Sequence, residues 1–254
     1  MSYRIKRGIQ WSLTGSFFVI LLFMAGCEKK DTLSAPLLSD YLSIAKGKYI
    51  RYRMDSTLLV FYGQKEITVK YQAKDVVEDS LSDNLGRPAW RVVRYISDTN
   101  AVTPWKPIAT FMLILQRESV EWVENNLRFL KLILPVRAGY SWKGNSFIQT
   151  STLSSEFRFY NDWTYTYDNI DASFTVWNNV PVANTLTVNQ RDDIIGTPND
   201  ASGYSERTFS QEIYGKGIGM VYKEFLHWEY QPPTDGKPGY KTGYGIKLTM
   251  IDHN

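Results

Sequence analysis

Residues 67–74 read Ile-Thr-Val-Lys-Tyr-Gln-Ala-Lys, so apolar and polar side chains alternate along the chain. Successive side chains of a strand point to opposite faces, and the alternation therefore predicts a β-strand with one buried and one wet face. β-branched and aromatic residues are enriched in such runs, as is typical of strands. The same period recurs in residues 50–54 and 244–250. The repeated pattern predicts a sheet that is solvated on one side.

Turn signals divide these runs into short segments. Asn125-Asn126 lies between two apolar runs and predicts a tight hairpin, and residues 192–204 and 231–243 read as longer exposed loops. We count about ten to twelve strands with short connections, which indicates an antiparallel meander. Few helices are available to cover the buried face, so the sheet is expected to curl on itself. The expected fold is mainly β: a curved antiparallel sheet forming a half-barrel or barrel, with at most one or two short helices. A β-sandwich is the alternative.

Composition excludes several classes of function. The chain has 29 basic and 26 acidic residues. Arg4, Lys6 and Arg7 lie in a segment that we expect to be removed, which leaves 26 residues of each sign. No basic patch is present, so no nucleic-acid partner is expected. One cysteine excludes a disulfide framework and a thiolate metal site, and two histidines leave little for metal binding, so we expect no metal and no cofactor.

The N-terminus has the organisation of an export signal. A basic segment over residues 1–8 precedes an apolar stretch over residues 9–26, and charged residues follow at 28–31. A spanning helix needs about 20 apolar residues, and the dense part of this stretch is shorter, so residues 1–26 predict a cleaved signal peptide. An uncleaved anchor helix is the alternative.

Met24-Ala25-Gly26-Cys27 ends the apolar stretch and resembles the bacterial lipobox. The resemblance implies cleavage after Gly26, a diacylglyceryl thioether on Cys27 and acylation of the new amino terminus. Several acyl chains would make this a firm membrane anchor. Glu28 stands where an inner-membrane retention signal would often place Asp. By analogy we expect the outer membrane, with the periplasmic or surface side left open.

At this level the chain resembles the β-rich envelope lipoproteins of Gram-negative bacteria, including the half-barrel lipoprotein carriers. The lipobox carries the likeness, together with the glycine-punctuated stretch over residues 212–224, which reads as a turn into a late strand. We expect a lipidated polar tether over residues 27–46 and a single antiparallel domain over residues 47–254. Residues 37–45 fit either one short helix or a disordered spacer.

Aromatic residues form a stripe in segment 156–167, which we expect to be one strand. The stripe, read at every second position, contains Phe157, Phe159, Trp163, Tyr165 and Tyr167. An aromatic stripe on one strand face is most often core. If a half-barrel leaves this face partly open, the same residues could line an acyl-chain site, and aromatic faces also stack on sugars. These five residues are the candidate ligand-facing set.

Three short triplets resemble the Asp-Ser/Thr-apolar acceptor of a periplasmic O-glycosylation system. They begin at Asp31, Asp55 and Asp79. The resemblance implies exposed acceptor hydroxyls, namely Thr32, Ser56 and Ser80. Coincidence is the alternative for so short a pattern.

The remaining candidates favour structural roles. His227 lies on a strand face that we expect to be wet, and no other histidine or cysteine is near it in the sequence. The glycines over residues 215–219 lack the spacing of a phosphate cradle and favour a bend. Ser141 is not in a nucleophile-elbow motif, and Asp192-Asp193 reads as surface charge.

No catalytic constellation emerges, and the sequence predicts a non-enzymatic cell-envelope lipoprotein. It would bind an apolar ligand or an envelope protein partner through the curved sheet. The alternatives are a glycan-binding lipoprotein, an accessory subunit of an outer-membrane complex, and a hydrolase whose acids meet only in the fold.

Overall fold

The computed structural model describes residues 37–151 and 157–254, and all of them belong to one compact unit that spans Ala35–Asn254. Within these residues the structure is a single antiparallel sheet of 12 strands. The strands are β1 (Tyr49–Val60), β2 (Lys65–Ser82), β3 (Pro88–Ser97), β4 (Lys106–Leu115), β5 (Ser119–Glu124), β6 (Leu127–Ile133), β7 (Ser141–Trp142), β8 (Tyr165–Thr175), β9 (Pro181–Gly196), β10 (Ser205–Gly215), β11 (Gly219–Gln231) and β12 (Tyr240–His253). This confirms the predicted meander and its strand number.

The sheet is a nearly closed barrel, because β1 pairs with β12 and only β6 and β7 remain as edges. The two edges approach each other. The backbone N–H of Leu130 donates to the carbonyl of Gly144 at 2.7 Å, and the Trp142 indole N–H donates to the carbonyl of Leu130 at 2.8 Å. One curled sheet, rather than two stacked sheets, buries the apolar faces, so the sandwich alternative is excluded.

The alternation in β2 positions side chains as predicted. Ala73, Asp75 and Val77 are buried on one face, and their neighbours in sequence are more exposed. Tyr52 and Met54 of β1 lie opposite Ala73 and Tyr71 across the ladder and face the same interior. The buried face of each strand is therefore the inside of the barrel.

The described residues contain no α-helix, but three short 3₁₀ turns: Leu38–Tyr41, Arg158–Tyr160 and Trp177–Asn179. The segment expected as a short helix or a spacer is the first of these turns. Leu38 and Tyr41 are fully buried in the main apolar core. The packed domain therefore begins before Gly47, because the last part of the expected tether fills one end of the barrel. No helix in the part of the chain described here has the length and apolarity needed to cross a membrane.

Two local turn predictions are confirmed, and two loop predictions are too long. Asn125 and Asn126 connect β5 to β6 with φ of 51° and 62°, which short polar side chains tolerate best. The glycine stretch forms the β10–β11 turn. The loops shrink to residues 197–204 and 232–239, because polar residues still pair across the strands. The ion pair of Arg207 with Asp192, at 2.7 Å, is one such pair.

The strand directions define two ends of the barrel. The lower end is where β1 begins, and the 3₁₀ turn Leu38–Tyr41 fills it. The upper end is where β1 ends, and residues 157–163 of the β7–β8 connection pack into it. The Tyr160 and Phe129 rings meet there at 5.5 Å between centroids.

Candidate functional site

Charged side chains cross the middle of the barrel interior. Arg94 of β3 donates two hydrogen bonds of 2.7 Å to the carboxylate of Asp75 on β2, and both residues are buried. On the opposite wall, Glu212 of β10 accepts a hydrogen bond of 2.7 Å from Lys131 of β6 and another of 2.7 Å from Tyr214. Buried charges persist only when they are paired in this way.

Lys223 of β11 lies between two carboxylates of this interior layer. Its ammonium nitrogen is 3.7 Å from Glu124 and 3.7 Å from Glu212, and it has no hydrogen bond to any described residue. Burial opposes the charge on Lys223, but the two carboxylates outweigh burial and raise its pKa. Burial likewise opposes ionisation of Glu212, yet Lys131 and Lys223 lower its pKa to about 2. Glu212 and Lys223 are thus both ionised at neutral pH, whereas burial lowers the pKa of Lys131. The interior layer consists of Asp75, Arg94, Glu124, Lys131, Glu212 and Lys223, and we call it the charge layer.

A lower cavity of about 90 Å³ lies on one side of the charge layer. Its walls are largely apolar and include Leu42 and Ile44, which follow the 3₁₀ turn at the lower end, together with Tyr52 and Trp122. By volume it holds about three waters.

An upper cavity of about 60 Å³ lies on the other side, and Glu124, Lys131 and Lys223 line both. Its walls are aromatic and come from four strands and the β7–β8 connection: Phe129, Tyr160, Trp163, Tyr165, Phe225 and Tyr244. Asn125 of the β5–β6 turn also lines it, and Tyr244 is 43% exposed, so the cavity reaches the surface at the upper end. A partly open aromatic pocket with a few polar groups at its base is typical of a ligand site.

Gln190 contributes an unpartnered polar group to the upper cavity. The residue is only 2% exposed. Its side-chain oxygen accepts a hydrogen bond of 2.6 Å from Ser210, but its side-chain nitrogen has no partner. A buried donor without a partner is costly, so this amide favours an acceptor beside it. Sequence reasoning missed Gln190, although it follows Leu186 and Val188 on the buried face of β9 at a spacing of two.

A partly exposed apolar strip continues from the upper cavity along the inner wall of the upper end. Ile246 and Tyr244 line the cavity, and Ile246 pairs with Ser56 of β1. Leu58, two residues further, is 39% exposed and pairs with Ile67 of β2. We call these residues the mouth strip: Leu58, Ile67, Val69, Tyr244 and Ile246.

The predicted aromatic stripe is not one strand, and this part of the prediction is wrong. Residues Arg158–Tyr160 form a 3₁₀ turn, and Asp162 adopts a φ of 60°, so β8 begins only at Tyr165. Phe157 and Phe159 consequently lie in the β7–β8 connection. Trp163 is buried just before β8.

The stripe residues have different positions in the barrel. Trp163 and Tyr165 line the upper cavity. Tyr167 is buried, and its hydroxyl donates a hydrogen bond of 2.8 Å to the carbonyl of Ile133 beside the open seam. Phe159 stacks on the His227 ring with 4.2 Å between centroids. Of the five, Trp163 and Tyr165 thus line the upper cavity.

The expectation that His227 lies on a wet face is wrong. Lys223, Phe225 and His227 face the interior, and His227 is buried with a contact of 2.9 Å between its Nδ1 and the Thr208 hydroxyl. Burial lowers the pKa of His227, although Glu206 and Glu229 partly oppose this effect. His227 is therefore a neutral structural residue at neutral pH.

The other predicted site residues lie apart from the cavities. Cys27 and Thr32 lie outside the described residues. Ser80 is exposed in β2, as an acceptor hydroxyl would need to be. Ser56 is half-buried in β1 and paired on both sides, with Val69 and Ile246, which restricts access to its hydroxyl.

The described ranges contain no group of three or more His, Cys, Asp or Glu side chains arranged to hold a metal ion. The protein is a nearly closed antiparallel barrel with the charge layer between two small cavities. No protein-family model matches the chain, and no match to it is found among curated proteins.

Proposed function

We propose that this protein is a non-enzymatic lipoprotein of the cell envelope that binds an apolar ligand at the upper end of its barrel. The lipobox at Cys27 supports the envelope location and an outer-membrane anchor. The turn Leu38–Tyr41 fills the lower end of the barrel, so we place the ligand at the upper end.

One observation carries the binding proposal: the upper cavity is continuous with the mouth strip. Trp163 and Tyr165 form cavity walls, and Tyr244 and Ile246 belong to both features. A ligand that covers water-exposed apolar surface at a concave site lowers the free energy by about 25 cal/mol per Å² of apolar area buried.

The cavity size limits what enters. Drug-sized ligand sites occupy about 300–1,000 Å³, whereas the upper cavity measures about 60 Å³. A lipid cannot enter entirely. One end of the ligand fits in the cavity, and its apolar body lies along the mouth strip.

Native mass spectrometry tests the proposal. The protein is produced as residues 31–254, which contain the whole compact unit Ala35–Asn254, and is exported to a bacterial periplasm without the native signal and Cys27. We expect a reproducible extra mass of an apolar molecule. Leu58→Glu in the mouth strip should remove it, and Ile108→Glu, at an exposed position in β4, should not. A clean apo mass in the presence of added envelope lipids would contradict the proposal.

The anchor has a separate test. A Cys27→Ala variant should lose acyl labelling and be released from the membrane fraction. Membrane partition of this variant through an uncleaved N-terminus would contradict the lipobox interpretation.

A second function, docking of an envelope protein, is favoured by the β1–β2 turn at the same end. Phe61 and Tyr62 are 68% and 95% exposed, and both have positive φ, at 51° and 57°. Such conformations are costly for bulky residues and cluster at functional sites. A photocrosslinker in place of Tyr62 should capture one defined envelope protein if the turn is a docking site. A crosslinker in place of Leu85, exposed at the lower end, is the control.

A further inference from the structure

The base of the upper cavity presents two donor groups without a hydrogen-bond acceptor among the described residues. Lys223 has two carboxylates at 3.7 Å but no hydrogen bond to a described residue. The side-chain nitrogen of Gln190 has no partner at all. Both groups line the same cavity. An ammonium and an amide N–H together are suited to an anionic oxygen acceptor.

We propose that the ligand of the upper end is an amphiphile with a carboxylate head, and that Lys223 and Gln190 hold this head. The inference rests on the proposed function and names the chemical class of its ligand. The apolar body of the amphiphile lies along the mouth strip.

Donors and size support a carboxylate. The lining cations Lys131 and Lys223 are matched by the carboxylates of Glu124 and Glu212. Lys131 donates a hydrogen bond to Glu212, whereas Lys223 donates none to a described residue, so Lys223 is the cation whose donors remain for a ligand. A planar carboxylate is small enough for a cavity of about 60 Å³, which has room for about two waters.

The nearby carboxylate of Glu124 does not accept a hydrogen bond from Lys223. Glu124 is 3.7 Å from Lys223, which is beyond a direct hydrogen bond. A bound carboxylate can accept hydrogen bonds from both Lys223 and Gln190, and neither Glu124 nor Glu212 accepts a hydrogen bond from Gln190.

Binding of matched probes to residues 31–254 tests the inference by isothermal titration calorimetry below the micellar concentration. The probes are dodecanoate, dodecan-1-ol and dodecyltrimethylammonium, which share a chain and differ in the head. We expect dodecanoate to bind at least about tenfold more tightly than the alcohol, since a charge-assisted hydrogen bond contributes on this scale. The cationic probe should bind most weakly.

Variants assign the head group to its site. Lys223→Met should reduce dodecanoate affinity to that of the alcohol for the same variant. Gln190→Leu should reduce dodecanoate affinity in the same direction and does not disturb the charge layer, so it serves if Lys223→Met fails to fold. Lys247→Met is the control for lost charge, because Lys247 is on the outer face beside Glu224.

The outcomes separate the two proposals. Equal affinity for dodecanoate and the alcohol, with no effect of either variant, would overturn the carboxylate inference while apolar binding stands. Tight dodecanoate binding that survives both variants would overturn the site assignment. Binding of none of the probes would overturn the proposed function, and the inference with it.

Discussion

The ion pair of Arg94 and Asp75 allows the sharpest test of how the barrel interior is stabilised. Both residues are buried, and the guanidinium donates two hydrogen bonds of 2.7 Å to the carboxylate. The guanidinium carbon also lies 5.0 Å from the centroid of the Phe111 ring. Arg94→Met keeps most of the side-chain volume but leaves Asp75 buried and unpaired. Breaking a buried pair in this way costs about 3–5 kcal/mol.

The expected loss is large enough to measure by urea denaturation followed by tryptophan fluorescence. For a domain of this size it corresponds to a fall in melting temperature of about 6–20 °C. The double variant Arg94→Met, Asp75→Leu removes both charges and should recover most of the free energy of unfolding, because apolar replacement of a buried pair is often neutral.

A surface ion pair supplies the matched control. Lys46 and Asp79 are 3.4 Å apart, and their side chains are largely exposed. Lys46→Met should change the free energy of unfolding by less than about 1 kcal/mol. The reasoning is refuted if Arg94→Met costs no more than this control, or if the double variant is as unstable as the single one.

Three further predictions concern stability. Lys131 and Lys223 lower the pKa of Glu212 to about 2 against the effect of burial. The contribution of the ionised carboxylate to the free energy of unfolding is therefore present above the ordinary carboxyl value of 4.5 and is lost as pH falls towards 2. Glu212→Gln should flatten the acid limb of a stability-versus-pH curve, and an unchanged limb would contradict this. Tyr62→Gly should raise the free energy of unfolding by about 1 kcal/mol, because glycine adopts the positive φ without strain, whereas a loss would show that the tyrosine ring stabilises the turn. Gly243 has a φ of 128°, and a Cβ at this position would lie 2.1 Å from the His227 carbonyl oxygen, so Gly243→Ala should lower the melting temperature strongly. Gly203→Ala, whose Cβ would meet nothing closer than 3.9 Å, is the control in the same thermal melt.

The parts of the fold that depend on neighbouring residues could be predicted from the sequence. The period of two in β2 and the Asn125-Asn126 turn are local signals, and both are confirmed. The aromatic stripe was misread because a 3₁₀ turn can place aromatic residues at the spacing of a strand. The positive φ of Asp162 interrupts that spacing, and no pattern in the sequence announces it.

The face of His227 was misread for a different reason. Strand β11 carries large apolar residues on its outer face as well as its inner face, so alternation alone did not identify the interior. Trp228 points outward and is covered by Lys241, whose ammonium nitrogen lies 4.1 Å from the ring centroid. Because Trp228 is apolar, its face of the strand was predicted to be the buried one, which placed His227 on the wrong face.

The charge layer could not be predicted at all, because it depends on how distant strands align when the sheet closes. Its members come from strands β2, β3, β5, β6, β10 and β11, and Lys131 and Glu212 are 81 residues apart in sequence. Each residue taken alone reads as ordinary surface charge. Only the closure of the sheet brings these strands around a common interior.

The charge layer is also the reason to assign a binding role to the interior. A barrel sealed only for stability gains little from buried ion pairs, since apolar residues of similar volume often serve as well or better. Here the paired charges stand between two cavities, and one cation, Lys223, lacks a direct hydrogen bond to a described residue. Gln190 adds a buried amide donor without a partner at the same cavity. That amide is costly when no acceptor is near it and favourable when a ligand supplies one, which is why we place the ligand at this end.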